Sequence, residues 1–125
     1  MALTLTADDI LERVDELEPN YYDEDTKLDW LLQIELIAWQ EIFLTSDGHE
    51  DLQAPEKMDG GTKLLIGQPY GRDIYENWLK AKIAENNGEN GRYNTAMIRF
   101  NSAYQLFGNW WNRTHRALAP YRLRL

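Results

Sequence analysis

The side chains that could do chemistry are few and poorly grouped. There is no Cys, which removes thiolate nucleophiles, disulfides and Cys-ligated metals together. The two histidines, His49 and His115, stand sixty-six positions apart and cannot supply a His-based metal or nucleophile motif. Carboxylates are plentiful. Glu35 and Glu41 lie in an apolar stretch, where a general acid and base could work; the ordinary expectation for such a pair is a polar edge or a basic neighbour. His115, between Arg113 and Arg116, suits a helix C-terminus, where the dipole favours cations. No nucleophile, base and orienting group come together, so the expectation is no enzyme, no cofactor and no metal.

Three loop motifs are present only in part. A calcium loop starting at Asp47 would place Leu52 at its sixth position and Met58 at its twelfth, and one starting at Asp23 would place Leu28 and Ile34 there. Neither provides the sharp glycine turn or the bidentate Glu that the site needs. Gly60-Gly61-Thr62-Lys63 reverses the Lys-then-hydroxyl order of a phosphate loop. Gly88-Glu89-Asn90-Gly91 has the letters of a KH loop but puts an acid where phosphate would approach. A tight turn accounts for it better.

Four helices must position whatever function exists. The first is expected over 7–17, capped by Thr6, with Asp8 and Asp9 in its first turn, a stripe of Ile10, Val14 and Leu17, and a stop at Pro19. The second is expected from about 25 to 44 after the cap Asp23. Its apolar residues are too widely spread for one stripe, which points to packing on two sides. Residues 45–68 are irregular and acidic, and a loop of that length is functional or disordered more often than not. Within it, 62–66 (TKLLI) reads as a short strand or a packed extended segment. The third helix should start near Pro69 and end near Glu85, with stripes of Ile74, Trp78, Ala81 and of Tyr75, Leu79, Ile83. Two Asn-Gly steps in 86–91 then supply a reversal and an antiparallel partner. That partner carries Tyr93, Met97, Phe100, Tyr104, Phe107, Trp111 and Thr114 at alternating spacings of four and three. Such a heptad suits a core-facing bundle helix better than an intermolecular coiled coil. Pro120 is expected to stop it.

The expected fold class is therefore all-α: a small bundle of four helices with a long acidic loop between the second and third. At 125 residues the chain should form a single domain over 1–125, with the loop at about 45–68 and a basic tail at about 113–125. No stretch approaches the roughly 20 apolar residues of a membrane span. No basic segment followed by an apolar one opens the chain, so a cytosolic start is expected.

Charge is strongly divided. Residues 1–60 carry 17 acidic and three basic residues, a net of −14, whereas 61–125 carry four acidic and ten basic, a net of +6. The halves could attract each other within one monomer, or an acidic face could meet the basic face of the next copy. The second arrangement is heterologous and closes into a ring if the rotation allows. DNA binding by the basic half is a rival, but Arg99 is the sole basic residue in the central turns of the last helix. The Asn-Gly-rich turn also exceeds what a helix-turn-helix prefers.

Pro19-Asn20 with an acidic cluster and KLDWLLQIE, then QPYGRDIYENWLKAKIAENNGE, then RYNTAMIRFNSAYQLFGNWWNRTHR resemble small head-morphogenesis proteins of tailed phages and prophages of Gram-positive bacteria. Among these the chain is similar to head-to-tail connector (adaptor) proteins. The likeness spans roughly Ile10 to Arg116 and rests on the order and spacing of segments: Pro69-Tyr70, Tyr75, the Leu79-to-Ile83 run, Tyr93-Asn94, Phe100-Asn101, Tyr104 and Trp111 before Arg113-Thr114. The resemblance implies a homo-oligomeric ring docked on a portal protein, receiving a tail-side completion protein, with DNA only as channel contents and no membrane. It implies residence in the virion, after assembly in the host bacterial cytoplasm. Asp47, Glu50 and Asp51 in the loop and Arg113, Arg116, Arg122 and Arg124 in the tail are the candidate assembly contacts. The alternative is a nucleic-acid-binding phage protein such as a small terminase subunit.

Overall fold

The computed structural model describes residues 3–115. Among these it contains four α-helices and no strand: α1 (Ala7–Leu17), α2 (Glu24–Ala38), α3 (Gly71–Asn87) and α4 (Asn90–Thr114). Pro120 and the tail arginines Arg116, Arg122 and Arg124 lie outside the described residues.

The first helix begins where the sequence placed it. Thr6 Oγ1 accepts from the Asp9 N–H at 3.3 Å, and the Asp9 carboxylate accepts from the Thr6 N–H at 2.9 Å. This reciprocal box satisfies two of the donors that a helix start leaves open. Ile10, Leu11 and Val14 are buried. Leu17, expected to extend their stripe, is 46% exposed, because the helix ends with it just before Pro19.

The Asp23 carboxylate caps α2 by accepting from Thr26 N–H at 2.8 Å. After Ala38 the helix widens into one π-helical turn, Trp39–Phe43, closed by Leu44 N–H donating to the Trp39 carbonyl at 2.9 Å. The added residue in that turn shifts the register and carries both Ile42 and Phe43 into the core. Packing on two sides is not what the described residues show. Leu28, Leu31, Ile34 and Ala38 are buried, but Leu36, Ile37 and Leu44 are 41%, 38% and 42% exposed. The neighbouring helices cover one face of α2 only.

The TKLLI run is extended and packed. Its Leu64 N–H donates to the Leu5 carbonyl at 2.8 Å, and Ala7 N–H donates to the Thr62 carbonyl at 3.0 Å. These make a single antiparallel bridge between Thr6 and Lys63, too short for a strand. Leu5, Leu64 and Ile66 enter the core from this pairing.

Helix α3 starts at Gly71, two residues later than Pro69, after a turn in which Gly71 N–H donates to the Gly67 carbonyl at 2.8 Å. A Cβ on Gly71 would collide with the Ile66 carbonyl oxygen; glycine lets the helix start directly against the extended segment. The C-terminus runs two residues past Glu85. There Gly88 adopts φ 73°, its N–H donates to Glu85 O at 3.2 Å, and Glu89 N–H donates to Ala84 O at 2.8 Å. This Schellman pair reverses the chain by itself. Gly91, expected to share the reversal, lies in the first turn of α4 without a positive φ.

Helix α4 then runs antiparallel along α3. Midway along this hairpin Trp78 meets Phe100 with ring centroids 5.2 Å apart; near the open end Tyr70 meets Phe107 at 5.7 Å and Trp110 at 5.8 Å. Phe100, Phe107 and Trp111 are buried, with Tyr93, Met97 and Tyr104 half-buried beside them. The heptad thus faces its own bundle, as expected of a core helix, and only Thr114 falls outside. Phe43 from the π turn closes the open end against Trp111, 4.6 Å between centroids.

Candidate functional site

Two features stand out as sites: a buried carboxylate at the centre of the fold and the distribution of charge over its surface.

Glu35 sits on the core face of α2 and is 2% exposed. One carboxylate oxygen accepts from the Tyr75 hydroxyl of α3, and the other accepts from Leu65 N–H at 2.9 Å. The same tyrosine oxygen accepts from Ile66 N–H at 3.0 Å. A helix, a second helix and the extended segment are tied by one polar cluster whose members are all paired. Burial pushes the Glu35 carboxyl up to about 7, against the hydrogen bonds from Tyr75 and Leu65 that favour its anion. Burial, and after it the neighbouring Glu35, pushes the Tyr75 phenol well above its ordinary range. Glu41 accepts from the Tyr104 hydroxyl at 2.6 Å, on the surface.

The expectation of a polar edge or a basic neighbour needs correction at Glu35, which is buried and takes a tyrosine hydroxyl; it holds at Glu41, which lies exposed and takes the hydroxyl of Tyr104 there. The π turn is the reason for Glu41, since the altered register brings it to α4. Glu35 was legible as an acid in an apolar helix, but its partners are 30 and 40 residues away and left no local signal. With both oxygens of Glu35 already accepting, the cluster is built to hold the chain together. No group of three or more His, Asp or Glu suited to a metal occurs among the described residues.

Of the candidate assembly residues, the four described, Asp47, Glu50, Asp51 and Arg113, fall at one end of the molecule. Asp47 is half-buried, and Glu50 and Asp51 are exposed in a short 3-10 turn, His49–Asp51. Glu50 accepts from Gly48 N–H at 2.9 Å; its own backbone N–H, and after it that of Gly48, lowers its pKa. The start of this loop packs on the end of α4. Ser46 Oγ lies 3.5 Å from Asn112 Oδ1, and Gly48 lies so close to the His115 ring that a Cβ there would clash. Exposed Arg113 stands between Asn112 and His115. The acidic loop and the first residue of the basic tail are thus neighbours, rather than two separate faces. His115 is the C-cap, its ring stacked 3.5 Å from that of Trp111, in keeping with the capping role read from the sequence.

Among the described residues the charge division is scarcely spent within the monomer. Arg13–Glu16, Lys27–Asp15, Arg72–Glu76 and Lys82–Glu85 each stay within one half of the chain. Among the described residues, the single ion pair joining the acidic first 60 residues to the basic remainder is Arg92–Glu18 at 3.3 Å.

A basic surface that sequence reasoning did not single out lies toward the closed end of the α3–α4 hairpin. Lys80, Arg92 and Arg99 line an open groove of about 390 Å³. Its floor includes Ala84 and Ala96, whose small side chains leave space between the helices. A usable signal was present: Arg92, Ala96 and Arg99 follow at i, i+4, i+7, and Lys80 and Ala84 at i, i+4, so cations flank an alanine on both helices.

No protein-family profile matches the chain, and comparisons with curated proteins and with solved structures find no match. The fold defines an all-α helical bundle. No helix among the described residues is long and apolar enough to cross a membrane.

Proposed function

We propose that this protein is a non-enzymatic structural subunit of a tailed phage or prophage particle: a head-to-tail connector whose copies form a ring under the portal protein. In this reading a tail-side completion protein docks on the ring, DNA occupies its channel, and the subunit is assembled in the host bacterial cytoplasm and retained in the virion. The observation that carries the reading is the unspent charge division. A monomer holding −14 on one half and +6 on the other, with one ion pair across the divide among the described residues, is suited to meeting further copies of itself. The ordered series of segments resembling connector proteins supplies the identity of the assembly, and a small all-α bundle is consistent with it.

The alternative, a DNA-binding phage protein such as a small terminase subunit, calls for an element free to enter a groove. Here α4 lies along α3 for most of its length with its aromatic face buried, unlike the steeply crossed pair of a helix-turn-helix.

The DNA flanking the gene tests the proposal. Portal and capsid genes on one side and tail genes on the other are expected. Metabolic or regulatory neighbours would overturn the connector reading, and duplex affinity falling steeply with salt would favour the alternative.

A further inference from the structure

We infer that the groove lined by Lys80, Arg92 and Arg99 receives the acidic loop 47–59 of a neighbouring copy, making the contact between subunits head to tail. The inference rests on the assembly reading above and gives it a specific interface.

The groove is a receptor for carboxylates in need of one. Lys80 and Arg99 have no hydrogen-bond or ion-pair partner among the described residues, whereas Arg92 is held by Glu18. Glu89, also on the groove wall, accepts from Asn87 at 3.4 Å and keeps its charge, so the three cations of the lining outnumber its two carboxylates, Glu18 and Glu89, by one. Two cations on facing helices, with space between them, are left to attract an anion. The loop has the complementary charge: Asp47, Glu50, Asp51, Glu56 and Asp59 against Lys57. All five acids are exposed or half-buried.

The loop cannot reach the groove of its own chain. Its first residues are fixed to the end of α4 through Ser46 and Gly48. Its last are fixed to the start of α1, where Gly60 O accepts from Asp8 N–H at 2.9 Å. The groove lies around Thr95 on α4, and Asn112 marks the loop end. Seventeen helical residues separate them, roughly 25 Å at 1.5 Å per residue. Charges so far apart exceed the screening length of about 8 Å at physiological salt, so the loop acts on a groove only if another copy brings it there. A contact between different patches on successive copies propagates in one direction and closes into a ring where the rotation allows.

The lack of native cysteine makes a cross-linking test direct. One population of the full chain carries Thr95→Cys in the groove, a second carries Gln53→Cys in the loop, and the two are mixed at high protein concentration and low salt. The mixed cross-link should form well above both self-cross-links. It should fall about tenfold when the groove chain also carries Lys80→Glu and Arg99→Glu, and fall similarly in about 1 M salt. It should return when that chain is paired with a loop chain carrying Glu50→Lys and Asp51→Lys. Circular dichroism of each variant confirms that helicity is retained. Three results would overturn the inference: no preference for the mixed product, a yield unmoved by charge reversal, or a reversal that abolishes binding of a DNA duplex while the cross-link persists. Failure here with phage genes flanking the coding sequence removes the interface and leaves the connector reading. A charge-dependent cross-link beside unrelated genes keeps the interface and removes the connector.

Discussion

The second helix and the π turn that continues it present the same chemical pair twice, in opposite surroundings. Glu35 and Tyr75 meet in the core, where the carboxylate is 2% exposed and the tyrosine fully buried; Glu41 and Tyr104 meet at the surface six residues further along. In the core every donor needs its acceptor, because no water can replace it. The buried pair also recruits two backbone N–H groups, Leu65 and Ile66, and so fixes the route of the extended segment. The surface pair recruits nothing beyond itself. A hydrogen bond's consequence for the fold is set by what would replace it.

Glu35→Ala should therefore be the most damaging single change at either pair. It leaves the Tyr75 hydroxyl and the Leu65 N–H without an acceptor and opens a cavity among three elements. The expected loss is about 3 kcal/mol, read from the midpoint and slope of urea unfolding. A loss under about 1 kcal/mol would mean that the cluster relaxes into other partners and is no lock.

The titration of Glu35 sharpens the contrast. Its carboxyl is raised from 4.5 to about 7 in the folded protein, so between those values the folded state holds a proton that the unfolded state has released. Its contribution to stability is then full below about pH 4.5 and is lost as pH rises through about 7. The span corresponds to an effect of order 3 kcal/mol. Comparison with Glu35→Gln isolates it, since glutamine fills the same volume without titrating. The stability difference between the two proteins should shift against the wild type from about pH 5 to pH 8. Parallel profiles would show that the carboxylate is ionised throughout, its hydrogen bonds outweighing burial.

How much of this could be read beforehand follows the range of the forces involved. The start of α1, the Asp23 cap, the Gly88 reversal and the core face of α4 are set by residues within a turn or a heptad of one another, and the sequence carried them. The π turn could not be read, because it answers to Phe43 docking on Phe107 and Trp111 of a distant helix. The late start of α3 belongs to the same class, since the contact of Gly71 with the Ile66 carbonyl is tertiary. Of the surfaces, the acidic loop was visible as composition. The groove was not, since it needs two helices side by side and emerges only when Lys80 and Arg99 line one cavity.

The surface pair should give the smallest effect. Tyr104→Phe removes a hydroxyl whose partner, Glu41, is exposed and turns to water when released. The ring itself stays stacked on Phe100, with centroids 5.3 Å apart. The expected loss is about 0.5 kcal/mol, with no change in the pH profile near neutrality, because neither the hydroxyl nor its partner shares the Glu35 cluster. Thermal unfolding beside Tyr75→Phe makes the comparison direct. The buried substitution strips Glu35 of one donor and leaves the Ile66 N–H without its acceptor, so it should cost several times as much. Equal losses at the two tyrosines would show that the Tyr104–Glu41 bond also holds the π turn in place, making the register of Ile42 and Phe43 depend on a surface contact.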